Sequence, residues 1–374
     1  MASEFEGRLE PDGPEAEVLG FAPRRRRPDH DPEPDETQQP EAEAREPDEA
    51  QESEAGQGSD PDPESQPESP TAGLRGVVSG LRGAVSGLAG WLGADRIGPE
   101  WVAAVERAAE FARSRLHGDY PTDEFGFDPE FTTKIFLPLL RPLVRNWFRV
   151  ELRGAERLPT DGAALLVSNH AGGLPLDGMV LQSIIHDEIG RHVRSLGADL
   201  IFATPYSHDL ARKTGTTLAC AEDAERLLTA GEIVAVFPEG FKGLGKLYTD
   251  RYRLQRFGRG GFVSAAVRAQ VPIIPVSIVG SEEIYPILAK VPVLSRAFGL
   301  PYFPLTPLFP WFGPLGAIPL PSKWIIEIGE AIPTDQIAPA AADDPTVIFN
   351  VTDQVRETIQ QTLHALLVRR PGIF

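Results

Sequence analysis

Residues 164–178 read Ala164-Leu165-Leu166-Val167-Ser168-Asn169-His170-Ala171-Gly172-Gly173-Leu174-Pro175-Leu176-Asp177-Gly178. An apolar run of strand character stops at a histidine, a Gly-Gly loop follows, and Asp177 opens an expected helix from Gly178 to Ile189. A histidine at the carboxyl end of a strand in an α/β chain stands where ligands usually bind. An aspartate a few residues on can turn back and hold the ring, because Gly172 and Gly173 let the loop fold over itself.

Outward from this stretch, the sequence from residue 148 alternates short apolar runs with helical periodicity, the signature of an α/β sheet. Expected strands are Phe148–Leu152, Ala164–Ser168, Val193–Gly197, Thr216–Cys220, Ile233–Phe237, Ile273–Val279 and Trp324–Ile328. Expected helices lie near Gly178–Ile189, Ala221–Ala230, Gly261–Ala269 and Thr346–Val368. The fold class is α/β, a mixed and mostly parallel sheet flanked by helices, in one domain over 148–374. An insertion at 297–322 interrupts it, with seven prolines, no charge, and aromatics including Tyr302, Phe303, Phe309, Trp311 and Phe312. Prolines at that density exclude a spanning helix. The segment reads as a buried irregular cap over a channel, as a membrane-dipping loop, or as a long packed connection.

The region before the sheet has a different composition. Residues 1–70 hold 22 Asp and Glu against 6 Arg and no Lys, so almost all of the net charge of −18 belongs to this tail. Rich in Pro, Glu, Asp, Gln and Ser, it is expected to be disordered, because it has too little apolar surface to offset its chain entropy. The run Arg24 to Arg27 reads as a solvated cluster within it. Residues 71–147 form an amphipathic, interfacial helical region. A seven-residue repeat over 73–93 places Leu74, Val77, Val78, Leu81, Val85, Leu88, Trp91 and Leu92 on one stripe, suited to a membrane surface or to a linker docking on the domain. A helix from Glu100 to Leu116 is expected to pack on the domain. Residues 131–150 combine large apolar side chains with Lys134, Arg141, Arg145 and Arg149, the pattern of a segment that lies on a membrane without crossing it.

The first thirty residues lack an apolar core preceded by positive charge, so no signal peptide is expected. Cys220 is the single cysteine, which excludes an intrachain disulfide framework and points to a reducing, cytoplasmic location. At the end of an apolar strand with no basic neighbour in sequence, it reads as a small buried hydrophobe, not as a nucleophile.

Two further pieces join the histidine loop: Phe237-Pro238-Glu239-Gly240-Phe241-Lys242 and Val271-Pro272-Ile273-Ile274-Pro275-Val276. In this order the three resemble the glycerolipid (lysophospholipid) acyltransferase family, whose members read Asn-His-x4-Asp, Phe-Pro-Glu-Gly-Thr-Arg and Val-Pro-Ile-x-Pro-Val. The resemblance covers roughly residues 150–335. Here six residues separate His170 from Asp177, and Phe241-Lys242 replaces Thr-Arg. The longer loop, and the stretch Gly258-Arg259-Gly260-Gly261-Phe262, look more like the neutral-glyceride branch of the superfamily.

Acyl transfer from a thioester to an alcohol needs a base for the hydroxyl. His170 suits that role, since an ordinary histidine titrates near neutral pH. Asp177 can fix its tautomer and stabilise the imidazolium, although an aspartate at a helix start also serves as an N-cap. The resemblance implies that Glu239 and Gly240 help bind the acceptor's glycerol or phosphate end, with Lys242 in the position of the family's arginine; Asn169 and Arg259 are expected to contribute to substrate binding beside them. Lys246, Arg251, Arg253, Arg256 and Arg259 read either as an anion funnel or as a solvated face. The prolines of the Val271–Val279 strand suggest an edge or a bulge.

Competing classes are weaker. Gly240-x4-Gly245-Lys246 matches a phosphate loop, but Leu247 stands where Ser or Thr must ligate magnesium. No Gly-x-Ser-x-Gly elbow supports Ser168 as a nucleophile. The expectation is therefore an O-acyltransferase that takes a fatty acyl group from acyl-CoA or acyl carrier protein to a glycerolipid hydroxyl such as that of lysophosphatidate. Neutral glycerides, other lysophospholipids and a non-catalytic lipid-binding role are the alternatives. No cofactor, metal or nucleic-acid partner is expected, and the location is peripheral, on the cytoplasmic face of a membrane among its lipids.

Overall fold

The computed structural model describes Phe111 and residues 121–374 apart from 204 and 259. The expected acidic tail, the 73–93 repeat and most of the 100–116 helix lie outside the described residues, as does Arg259.

The strands are β1 (Glu151–Arg153), β2 (Ala164–Ser168), β3 (Val193–Gly197), β4 (Thr217–Leu218), β5 (Ile233–Val236), β6 (Ile273–Val279), β7 (Ala289–Lys290), β8 (Pro304–Leu305) and β9 (Ile325–Ile328). One seven-stranded sheet runs in the order β1-β9-β6-β2-β5-β3-β4, while β7 and β8 form a separate antiparallel pair. Every pairing in the large sheet is parallel except β6 with β9. Strand β2 is central, pairing β5 on one side and β6 on the other.

The period-2 alternation of β2 divides its side chains between two cores. Leu165 and Val167 pack with helices Ala221–Thr229, Gly261–Ala269 and Pro345–Arg369 through Leu227, Val263, Val267, Val355 and Ile359. Ala164 and Leu166 face the other layer, with Val180, Leu181 and Ile185 of helix Leu176–Ile189. Each fully buried aliphatic side chain of this kind contributes roughly 1.5–3 kcal/mol. A β2 without exposed side chains fixes its register, and with it the position of the histidine that follows.

The 131–150 segment departs from its expected role. It forms consecutive α and π turns, Pro129–Phe131, Thr132–Phe136, Leu137–Pro142 and Leu143–Trp147. Pro138 and Pro142 adjoin the π turns, where the missing N–H removes an i to i−4 bond. Its apolar residues Phe136, Leu137, Leu140, Val144 and Phe148 are buried in the second core. Arg141 makes a bidentate contact with Asp187, and Arg145 joins it at 2.9 Å. The apolar stripe therefore faces the sheet layer and not a membrane.

Phe148 stacks on Trp324 at 4.5 Å between centroids, and β1 begins three residues later than Phe148. Strand β4 is confined to two residues of the expected Thr216–Cys220 run and lies at the edge of the sheet beside β3. Strand β6 is not an edge: it is buried along its whole length between β9 and β2. The bulge sits in its antiparallel partner. Val276 pairs with Ile328 and Ile273 with Ile332, so three steps on β6 face four on the segment that continues β9, and Pro275 occupies the widened gap while its carbonyl accepts from Gly329 N.

Candidate active site

Because β6, β2 and β5 are neighbours and parallel, the segments leaving their carboxyl ends converge. His170 follows β2, Glu239 follows β5 and Glu282 follows β6. All three are buried, His170 retaining 8 % of its surface.

His170 Nδ1 lies 2.8 Å from Asp177 Oδ2. The same oxygen accepts from Ala171 N at 2.9 Å, and Oδ1 accepts from Gly178 N at 2.9 Å. Asp177 is wholly buried and is the second residue of the helix, where the N-terminal end of the helix dipole favours an anion. It does not cap that helix, since Pro175 occupies the cap position. With Nδ1–H directed at the carboxylate, Nε2 carries the lone pair, and it has no protein partner among the described residues. The ring packs on Phe237 with centroids 4.6 Å apart.

The six intervening residues fit because Gly172 and Gly173 adopt φ of +96° and +72°. A Cβ on Gly172 would come within 2.6 Å of Ser281 O, so the loop lies against the segment after β6. From the other side, helix Gly240–Leu244 approaches through Gly243, where a Cβ would meet His170 O at 2.5 Å. Gly173 N completes the clamp with a 3.1 Å bond to Leu244 O.

The remaining sequence-predicted residues divide into two groups. Asn169 is fully buried: its Nδ2 donates to Ile278 O at 2.9 Å and its Oδ1 accepts from Ile278 N at 2.8 Å, so its amide works as a rung between β2 and β6. Glu239 is likewise engaged inside the protein. Its Oε1 accepts from His170 N at 2.9 Å, its Oε2 from Gln255 N at 2.7 Å, and Lys246 Nζ lies 3.3 Å away. Gly240 and Lys242 are exposed on the helix that abuts His170, and Lys242 has no ion pair among the described residues.

Of the possible anion funnel, Lys246 is withdrawn: only 3 % of its side chain is exposed, between Glu239 and Glu282 at 3.3 and 3.1 Å. Arg251, Arg253 and Arg256 are exposed. The burial of Lys246, after a five-residue helix, also rules out a phosphate loop at Gly240–Lys246. Cys220 precedes helix Ala221–Thr229, but burial pushes its thiol pKa up, which leaves it a poor nucleophile.

Sequence reasoning missed the groups behind the histidine. Glu282 accepts from Tyr252 N at 2.9 Å, and burial pushes its carboxyl up to about 7 against the pull of Lys246. Glu283 takes the Tyr252 hydroxyl and an ion pair with Arg370 at 2.8 Å. Their signal was present, since Gly280-Ser281-Glu282-Glu283 leaves an apolar strand as His170 and Glu239 do. Tyr302 was also missed as a site neighbour; its hydroxyl donates to Gly173 O at 2.6 Å.

A buried histidine held by a carboxylate at the carboxyl end of a parallel strand, its other nitrogen free of protein partners among the described residues, is chemically able to take a proton from a hydroxyl. A sequence model for a family described as Acyltransferase matches residues 149–279. The chain is 61 % identical over 275 residues to the uncharacterized protein Rv0502 of Mycobacterium tuberculosis, a match covering 73 % of this chain and 76 % of that one. It is 25 % identical over 189 residues to the human DGAT1/2-independent enzyme synthesizing storage lipids, covering 50 % and 55 %. Among solved structures it is similar to the 1-acyl-sn-glycerophosphate acyltransferase PlsC of Thermotoga maritima, with 17 % identity, a TM-score of 0.43, and coverage of 70 % and 88 %. The chain belongs to the Acyltransferase family, and it is an acyltransferase.

Proposed function

We propose that the protein is an O-acyltransferase that moves a fatty acyl group from a thioester, acyl-CoA or acyl carrier protein, to a glycerolipid hydroxyl, working peripherally on the cytoplasmic face of a membrane. The observation that carries this reading is the buried His170–Asp177 pair inside the matched domain. His170 Nε2 takes the hydroxyl proton as the oxygen attacks the thioester carbonyl. The tetrahedral intermediate collapses, the C–S bond breaks, and the departing sulfur takes the proton from the imidazolium. Asp177 holds the tautomer and stabilises the charge on the ring. No covalent enzyme intermediate is needed. A base so placed typically contributes about 10²–10⁴-fold in rate.

Lys242, exposed beside the histidine loop, is suited to an acceptor phosphate, though as a point charge without the fork of an arginine. Arg259 belongs to the same binding role by position in sequence. Asn169 and Glu239 serve the substrate indirectly, by fixing the backbone on either side of His170. No helix among the described residues is long and apolar enough to cross a membrane.

A neutral-glyceride acceptor is the second reading, and one observation favours it: Lys246 is locked between carboxylates, which leaves Lys242 as the exposed lysine on the Gly240–Lys246 stretch. The similarity to a storage-lipid-synthesizing enzyme points the same way. Labelled acyl-CoA and acyl carrier protein offered with lysophosphatidate, other lysophospholipids and diacylglycerol, with the products resolved, decide between the two. Acylation of no glycerolipid by either donor would overturn both.

A further inference from the structure

Between β6 and β9 the chain makes a long excursion that the acyl-transfer chemistry does not use. It carries β7, helix Pro292–Ala297, β8 and a tight turn at Gly313–Ala317. From Ile284 to Ile326 there is no Asp or Glu, while Lys290, Arg296 and Lys323 are present, a local reversal of sign in a chain of net charge −18. Lys323 is paired with Glu151 at 3.3 Å, whereas Lys290 and Arg296 are exposed and have no ion pair among the described residues.

The same excursion displays Leu288, Val293, Phe298, Leu300, Trp311, Phe312 and Leu315. These are half of the fourteen large apolar side chains exposed among the described residues, and Trp311 and Val293 are each 72 % exposed. Exposed apolar surface concentrated in this way marks a contact with a partner or a membrane. Ring contacts and a hydrogen bond tie it to the body: Phe298 stacks on Phe303 at 5.9 Å, Phe303 meets Phe309 at a tilt at 5.4 Å, and Trp147 Nε1 donates to Pro319 O at 2.9 Å.

On its inner side the excursion touches the site. Tyr302 bonds to Gly173 O, and a Cβ on Gly245 would come within 2.8 Å of its ring. Burial and the nearby Asp177 raise the pKa of the Tyr302 hydroxyl, which keeps it a hydrogen-bond donor to the loop that carries His170.

We propose that the 284–324 excursion is the face by which the protein docks on an anionic lipid surface. Phe298, Trp311 and Phe312 enter the boundary between headgroups and acyl chains, and Lys290 and Arg296 meet the anionic headgroups. Aromatic side chains and basic residues suit that boundary, and acidic residues, absent here, would be repelled by it. Through Tyr302 the docked face stands directly beside the histidine loop, so an acceptor leaving the bilayer there has a short path to His170. Only this last consequence rests on the acyl-transfer reading.

The test uses the full chain and vesicles of phosphatidylcholine with and without phosphatidylglycerol. Trp311→Ser with Phe312→Ser is expected to weaken vesicle partitioning by at least about tenfold. Lys290→Glu with Arg296→Glu is expected to abolish the preference for phosphatidylglycerol. Lipids brominated in their acyl chains are expected to quench wild-type tryptophan fluorescence, and Trp311→Phe to remove a distinct part of that quenching. Both double variants should retain wild-type turnover on a short-chain acceptor dispersed in water. Unchanged partitioning, or equal quenching in Trp311→Phe, overturns the proposal. So does a dimer that dissociates in the Trp311→Ser, Phe312→Ser variant while its vesicle binding is unaltered, since that assigns the face to a second copy. Absence of turnover on every acceptor with vesicle binding intact would instead reject the catalytic reading and leave the docking face standing.

Discussion

In the proposed mechanism His170 takes the proton and Asp177 holds its ring, a pair joined at 2.8 Å. His170→Ala is expected to lower kcat by about 10²–10⁴-fold with the unfolding transition unchanged, as measured by thermal denaturation beside the acyl-transfer assay. Asp177→Asn keeps the shape but presents an amide to Nδ1, so the tautomer is no longer fixed, and a loss of similar size is expected. Wild-type turnover in either variant would remove the base mechanism. Behind them, Glu282 predicts a pH effect. Its carboxyl titrates at about 7 in the folded protein against 4.5 ordinarily. The folded state therefore holds a proton that the unfolded chain has released, and the stability this confers is complete below about 4.5 and is lost as pH rises through 7. Urea unfolding across that window should show a decline in the wild type that Glu282→Gln lacks, a difference of roughly 1–3 kcal/mol; parallel profiles would refute it.

Among the elements, those whose two faces are both buried were the most legible. Ala164–Ser168 and Ile273–Val279 appear with the bounds that their apolar runs define, because nothing but a sheet interior accepts such runs. The 131–150 segment was misread because snorkelling arginines look alike in sequence whether the apolar stripe meets lipid or protein. Asp187, which pairs with Arg141 and Arg145, lies 42 residues or more away, beyond any local pattern. The histidine loop was recognised, but the partners of Asn169 and Glu239 are 109 and 16 residues distant and could not be read from spacing. Phe148 anchors the misread segment through its stack on Trp324. Phe148→Ala should cost about 3–5 kcal/mol in urea unfolding, because both rings are fully buried and the void cannot fill with water. A loss below about 1 kcal/mol would mean that the surrounding layer collapses into the gap.

Over the whole molecule, the chain closes on itself near the site. Arg370, close to the C-terminus, pairs with Glu283 at 2.8 Å and donates to Lys323 O, while Lys323 N bonds to Ile373 O. The pair is almost wholly buried, so removing one partner strands the other charge. Arg370→Ala is expected to destabilise the protein by about 3–5 kcal/mol, read as a lowered urea midpoint with unchanged slope. An unaltered midpoint would show that the C-terminal residues are dispensable to the fold. At the opposite scale of contact, the large sheet ends in β1 and β4, of three and two residues. Such brief margins offer another chain almost no row of free N–H and C=O groups to copy. Neighbouring copies are thereby kept from zipping together into fibrils, and the safeguard lies in the outermost strands, away from the central strand that leads to His170.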